Sequence, residues 1–305
     1  MYPCSNPELV AAASEAGGIG IIQPLSLEFV HKYPFVEGLE KIRTLTAQPL
    51  GLNVIVERSS KKYLEHMHRY VDLSLEHGIR FFVTSLGSPG WVVEKAHEVA
   101  GVVYHDVTER RWALKGVDSG VDGLIAVNNR AGGHAGSKSA EELFTELEDL
   151  GLPLVCAGGI GHERDFQRAL GVGYEAVQMG TRFIATVECS ASDDYKAAIL
   201  RAKEEDIVLT ERMTGVPVAV IRTPYIDRSG TSAGPLARWM LRGRRTKHWM
   251  RMIYSLISLW KLKKSSYRSF SYRDFLQAGK SVGGVEQVES VAQIMERFVG
   301  VTDSR

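Results

Sequence analysis

A chain of 305 residues, 44% hydrophobic and 24% charged, has the composition of a globular protein, with room for one large α/β domain or two ordinary ones. Its formal net charge of +1 excludes a general attraction to nucleic acid, and no apolar run reaches the roughly 18–20 residues that a membrane span requires. The three cysteines, Cys4, Cys156 and Cys189, are too scattered for a disulfide framework or a zinc site, and the opening residues lack a secretory pattern, so a reducing, cytoplasmic setting is expected.

Along the chain, helical patterns alternate with short apolar, β-branched runs. Ser5 is placed to cap a helix carrying Leu9, Val10, Ala13 and Ala16, which Gly17-Gly18 ends. Ile19–Ile22 then reads as a strand, followed by a helix around 38–47 and the strand Leu50–Ile55. A helix over 61–77, stopped by Gly78, leads to the strand Ile79–Thr84, and a helix over 88–99 leads to the strand Gly101–His105. The helix 108–119 precedes the strand Gly123–Val127, the helix 139–150 precedes Leu152–Ala157, and the helix 162–170 precedes Ala176–Met179.

These strands are nearly continuous apolar runs, as expected of a parallel sheet buried on both faces. A β-α repeat of about 20–30 residues suits a closed (β/α)₈ TIM barrel better than an open sheet. Only seven strands are found, and an eighth just ahead of Met1 would complete the ring. The domain reading is a barrel over 1–227, a basic helical insertion over 228–273 beside the mouth, and a C-terminal helix within 274–305 that returns to the barrel.

In such barrels chemistry sits at the carboxyl ends of the strands. Those ends are Asn53, Thr84, His105-Asp106, the segment Asn128–Gly136, Ala157-Gly158-Gly159-Ile160-Gly161 and Met179-Gly180-Thr181-Arg182. Glycines between a buried strand and a helix let backbone N–H groups approach an anion, and the helix N-terminus adds partial positive charge. Two such loops after the last two strands predict a phosphate site; nucleotide, flavin and sugar phosphates all remain open. In Arg130-Ala131-Gly132-Gly133-His134, two glycines free the space beside a histidine on the same rim, and its imidazole suits a base or a hydrogen-bond donor to an anion. His105 is expected to pack or to orient a neighbour. Cys156 and Cys189 read as structural, His66 and His68 as solvated, and His97 as a residue without a special role.

Arg130–Gly136, Ala157–Gly161 and Val177–Glu188 resemble the three signature stretches of the nitronate monooxygenase (2-nitropropane dioxygenase) family, which also contains the FMN-type enoyl-acyl-carrier-protein reductases. The similarity extends to Ser5–Val10 with Ala16–Gly20, to Gly51–Asn53 and to Ala278–Gly283, and so covers most of the chain outside about 228–272. The resemblance implies FMN held non-covalently at the carboxyl mouth of a barrel. Carried over by position, Gly159, Gly180 and Thr181 bind its phosphate with Ala157 close by, Asn53 and Gly132 contact the flavin, and His134 is the active-site histidine. Asp106 falls where many relatives have a flavin-contacting lysine, so the local charge is reversed. Met1 corresponds to the end of the relatives' first strand, so either the start of the sequence falls later than the barrel's own beginning, or the chain is a shortened form with two open sheet edges.

Between Asp227 and Asp274 no acidic residue occurs, while Arg238, Arg242, Arg244, Arg245, Lys247, Arg251, Lys261, Lys263 and Lys264 interleave with Trp239, Trp249 and Trp260. This segment reads as a covering helix with a solvated basic face, with attraction of an anionic substrate or membrane-surface contact through 238–264 as the functional alternatives. The leading activity is FMN-dependent oxidation of alkyl nitronates by oxygen to a carbonyl compound and nitrite. Its rivals are an NAD(P)H-dependent FMN reductase of enoyl thioesters or quinones, and a non-catalytic relative that binds partners or membrane. No metal and no nucleic acid are expected.

Overall fold

The computed structural model describes residues 2–57, 61–212, 216–232 and 276–300. Most of the basic segment expected over 228–273 lies outside these residues. Seven parallel strands form one sheet in sequence order: β1 (Gly20–Ile22), β2 (Leu50–Ile55), β3 (Phe81–Ser85), β4 (Val102–Val107), β5 (Gly123–Val127), β6 (Leu154–Ala157) and β7 (Ala176–Gln178). The helices α1 (Pro7–Glu15), α2 (Phe35–Leu45), α3 (Lys61–Glu76), α4 (Gly90–His97), α5 (Arg110–Asp118), α6 (Ala140–Leu147) and α7 (Glu163–Val172) alternate with them. This is the TIM-barrel arrangement expected from the buried β-α repeat; among the described residues β1 pairs with β2 and β7 with β6, and neither pairs with the other.

Because side chains alternate along a strand, each strand feeds two cores. Leu52, Val54, Phe82, Val103, Leu124 and Cys156 point outward and pack under the helices. Val83, Ile125 and Ala157 point inward, with Ile21, Phe81, Tyr104, Val127 and Val155 around them. Register aligns the inward rows, so that Asn53, Val83 and Tyr104 lie side by side across β2, β3 and β4. Slipping any strand by one residue would exchange its two faces, which is why the apolar pattern pins the register. Phe82 is 0% exposed, and burying such a side chain contributes about 3 kcal/mol.

Helix ends follow local chemistry, with one departure from expectation. At α6, Ser139 accepts from Glu142 N while the Glu142 carboxylate accepts from Ser139 N, a reciprocal cap. Ser5, however, is not the cap of α1. The helix starts at Pro7 with Asn6 before it, and the Ser5 hydroxyl donates to Ile21 O at 3.4 Å. Proline at the first helical position needs no N–H partner, and this shifts the start by one residue.

After β7 the chain builds elements that apolar periodicity does not reveal. These are the short α8 (Thr181–Ile184), α9 (Asp193–Arg201), an antiparallel hairpin of β8 (Ile207–Thr210) and β9 (Val218–Ile221), and α10 (Pro224–Ser229). Finally α11 (Val291–Gly300) packs between α7 and α1: Phe298 stacks on Phe166 with ring centroids 5.6 Å apart, and Met295 lies beside Gly18. A buried ion cluster ties α11 to the rim. Arg182, 1% exposed, pairs with Glu289, which Arg297 of α11 also engages at 3.0 Å.

Candidate active site at the carboxyl mouth

Two loops of the late strands leave backbone donors free. After β6, Gly158 and Gly159 adopt φ of +119° and +83°, and a side chain on Gly159 would come within 2.5 Å of Arg130 Nε. Glycine is therefore demanded twice there, by backbone and by space. Asp165 accepts from Gly161 N at 2.9 Å and from His162 N at 3.2 Å, so the start of α7 already holds a carboxylate. The helix N-terminus expected to face an anion is thus occupied, while the N–H groups of Gly159 and Ile160 have no partner among the described residues. After β7, Gly180 precedes α8 and Thr181 is buried, with its Oγ1 accepting from Gly279 N at 3.0 Å. The Thr181 hydroxyl proton stays available to a ligand.

The segment from Asn128 to Gly136 meets both loops. Asn128 is 0% exposed; its Nδ2 donates to Gly158 O at 3.0 Å and its Oδ1 accepts from Arg130 N at 2.8 Å. One carboxamide therefore locks the histidine loop to the glycine loop of β6. Arg130 extends over Gly159 and donates to Glu204 at 2.8 Å. Gly132 runs backbone to backbone against Gly279: a Cβ there would lie 2.9 Å from Gly279 N and 3.4 Å from Thr181 Oγ1. Gly133 takes φ of +67° and its carbonyl accepts from Ala219 N of β9 at 2.8 Å. The hairpin missed in the sequence is what fixes the turn before His134.

His134 is exposed to the open mouth, yet enough protein surrounds it to lower its imidazole from the ordinary value, with the Glu57 carboxylate acting in the opposite direction. It is therefore a neutral base near pH 7. On β2 and β4, Asn53 and Asp106 sit on the inward face. Asp106 Oδ1 is shielded from solvent and has no hydrogen-bond partner among the described residues, and burial pushes its carboxyl up to about 7. A buried carboxyl oxygen without a donor is costly unless something enters to satisfy it.

The structure thus places Gly132, Gly159 and Thr181 within one cluster of loops, with Ala157 and Gly180 leading into it, and sets Asn53 and Asp106 on other strands of the same rim. His105 stands outside this set. It faces the helices, 3% exposed, with Nδ1 at 2.8 Å from Thr84 Oγ1, and burial lowers it to about 4. Its role is packing. His68, expected to be solvated, is half-buried with its ring tilted by 31° against Trp91 at 3.7 Å between centroids, and His97 lies 3.0 Å from the Asp122 carboxylate. No group of three or more His, Cys, Asp or Glu able to hold a metal occurs among the described residues.

The sequence profile described as nitronate monooxygenase matches residues 1–300. The chain belongs to the nitronate monooxygenase family. It is 29% identical over 271 residues to a probable nitronate monooxygenase of Staphylococcus saprophyticus, covering 75% of each chain. It is also 28% identical over 237 residues to (3aS,4S,5R,7aS)-5-hydroxy-7a-methyl-1-oxo-octahydro-1H-indene-4-carboxyl-CoA dehydrogenase of Rhodococcus jostii, covering 76% of this chain and 65% of that protein. The dehydrogenase of the same name from Mycobacterium tuberculosis is covered to 64% of its length, so the chain spans just under two thirds of both dehydrogenases. Among solved structures it resembles FabK of Thermotoga maritima, at a TM-score of 0.77 and 26% identity over 100% of this chain and 92% of that one. Nitroalkane oxidase of Streptomyces ansochromogenes shares the fold at a TM-score of 0.78 and 19% identity, over 99% of this chain and 93% of that one.

Membership in this oxidoreductase family was legible in the motifs, but the contacts that join them were not. Asn128 was one letter in a strand-end segment, although as a buried carboxamide directly after an apolar strand it carried a signal. Arg182 stood in a strand-end segment too, but its pairing with Glu289, 107 positions away, carried no signal. Gly279 lay within the matched stretch Ala278–Gly283, but that its N–H reaches Thr181 from 98 positions away was not legible there.

Proposed function

We propose that this chain oxidises alkyl nitronates, with FMN held at the carboxyl mouth and dioxygen as the final oxidant, releasing a carbonyl compound and nitrite. Bound FMN supplies a two-electron redox ring and a phosphate that anchors it. The observation that carries the reading is the pair of late-strand loops: the amides of Gly159 and Ile160, unpaired among the described residues, lie where Gly159 meets Arg130, and the Thr181 hydroxyl adjoins Gly132, two residues before His134. Such donors hold a phosphate dianion without a neutralising side chain. Asn53 and Gly132 are assigned contacts with the ring, Gly180 a phosphate contact with Ala157 close by, and the solvent-shielded Asp106 Oδ1 a ligand donor that satisfies it. Asp106 and the free amides fit a polar, planar, phosphorylated group.

His134 then acts on the substrate. Its lowered imidazole keeps a free nitrogen near pH 7, which takes the α-proton where the neutral nitroalkane binds and so generates the nitronate, and which once protonated hydrogen-bonds to a nitronate oxygen. Purified protein should be yellow and release FMN on denaturation. Replacing His134→Asn should slow anaerobic flavin reduction by nitronate by about 10²-fold or more while leaving bound flavin intact. Flavin that stays oxidised in the unmodified protein after anaerobic mixing with a nitronate sinks this substrate assignment.

A second reading, reduction or oxidation of a thioester by the same flavin, is favoured by the 28% identity to a carboxyl-CoA dehydrogenase. Anaerobic bleaching by NADH without any nitronate, followed by reoxidation with an enoyl thioester, would select it.

A further inference from the structure

The three cysteines are scattered in the sequence, but the fold brings two of them together. Cys4 precedes α1 and Cys189 follows α8, 185 positions away. Both are free thiols, 3% and 2% exposed, in a core shared with Leu9 of α1 and with Tyr195 and Ile199 of α9. Cys189 Sγ donates to Cys4 O at 3.6 Å, and the two thiols also hydrogen-bond to each other. The flanking residues lace the two segments together: Asn6 Nδ2 donates to Glu188 O at 2.9 Å, and Ser190 N donates to Asn6 Oδ1 at 3.1 Å. The segments are thus held side by side independently of their sulfur atoms.

The two sulfurs have different surroundings. At Cys189 the Cys4 thiol and the Ala191 N–H donate to the sulfur and Lys196 adds positive charge, which lowers the thiol from its ordinary value against the opposing effect of burial. The same thiol–thiol contact, together with burial, raises Cys4. Protonated, Cys189 bonds to Cys4 O; ionised, it accepts from Cys4 and Ala191, so both states keep a partner. The thiolate is the form that attacks peroxides and disulfides, and cations and N–H donors favour it. Lys196 also lines, with Val187 and Val288, an open cleft of about 440 Å³, which brings solvent to within two residues of Cys189. Cys156 has no such setting: it lies in β6 and burial pushes its thiol up to about 12.

We propose that Cys4 and Cys189 form a peroxide-reactive dithiol that closes to a reversible disulfide. The Cys189 thiolate attacks one oxygen of hydrogen peroxide, the O–O bond breaks, and the departing hydroxide takes up the proton that Cys189 had released, giving water. Cys4 sulfur then attacks the sulfenic acid at Cys189; the S–O bond breaks and the hydroxyl leaves with the Cys4 proton as a second water. Two thiols thus lose two electrons and two protons, and one peroxide is reduced to two waters. A small thiol reverses the bond by exchange, as befits a transient disulfide in a reducing setting. Closed, the bond fastens the segment ahead of α1 to the loop that follows Thr181 and α8.

The test treats the whole folded chain with hydrogen peroxide, alkylates the remaining thiols and maps the peptides by mass. A Cys4–Cys189 linkage that leaves Cys156 as a thiol, is undone by dithiothreitol, and forms at least about tenfold faster than in the urea-unfolded chain supports the proposal, because only the fold presents the pair. In Cys4→Ser the oxidised Cys189 should persist as a sulfenic acid that a 1,3-diketone traps, and Cys189→Ala should leave Cys4 unmodified. No linkage, a linkage no faster in the folded chain, or loss of Cys156 at the same rate would overturn the proposal. Oxidation of Cys4 in Cys189→Ala, or no trapped adduct in Cys4→Ser, would overturn the assignment of Cys189 as the attacking thiol. If a variant does not fold, the rate comparison in the unmodified chain decides. Neither step uses flavin, so the result stands apart from the FMN assignment.

Discussion

Asp106→Asn removes a carboxyl without changing its shape, and its consequence for stability depends on pH in a way the geometry dictates. Oδ1 is solvent-shielded and unpartnered, and burial raises the group from 3.8 to about 7. An acid whose pKa is higher folded than unfolded binds its proton more tightly in the native state. Stability is then whole below about 3.8, falls as pH rises toward 7, and reaches its low plateau above that. Each unit of difference is worth about 1.4 kcal/mol, so ionisation costs the ligand-free protein about 2 kcal/mol at pH 5 and up to about 4 kcal/mol at pH 8. A carboxamide at this position cannot ionise. The variant should therefore gain that amount, more at pH 8 than at pH 5, in urea unfolding of FMN-free protein at the two pH values. An equal gain at both, or none, would refute the claim that Asp106 is desolvated without a compensating donor.

Glu289→Ala would strand Arg182, which is 1% exposed, and should cost about 3–5 kcal/mol in urea unfolding; a loss below about 1 kcal/mol would mean the cluster is solvated. Gly159→Ala puts a side chain into left-handed backbone 2.5 Å from Arg130 Nε, and should weaken FMN binding about tenfold or more in a fluorescence titration while the barrel remains folded. His105, lowered to about 4, binds protons less well folded than unfolded. Its contribution is complete above pH 6.5 and is lost as pH falls toward 4, so His105→Gln should flatten the acid limb of a stability–pH curve between those values. An unchanged limb would place the acid sensitivity elsewhere.

The parallel barrel was legible because doubly buried strands must be continuous apolar runs, and β2 and β5 stand where those runs lie. The rim was legible because glycines at strand ends answer a local need of the backbone: the left-handed turns at Gly133, Gly158 and Gly159 are decided within a few residues. What sequence alone could not decide depends on contacts between distant parts. Asp165 takes the start of α7 for itself, β9 pins the turn before His134, and Gly279 reaches Thr181. Asp106 is a polar letter at a strand end until the inward face of β4 removes its water. Periodicity records which face of an element is apolar; whether a charge is stranded or a donor left free is settled only when the strands curl and the loops meet.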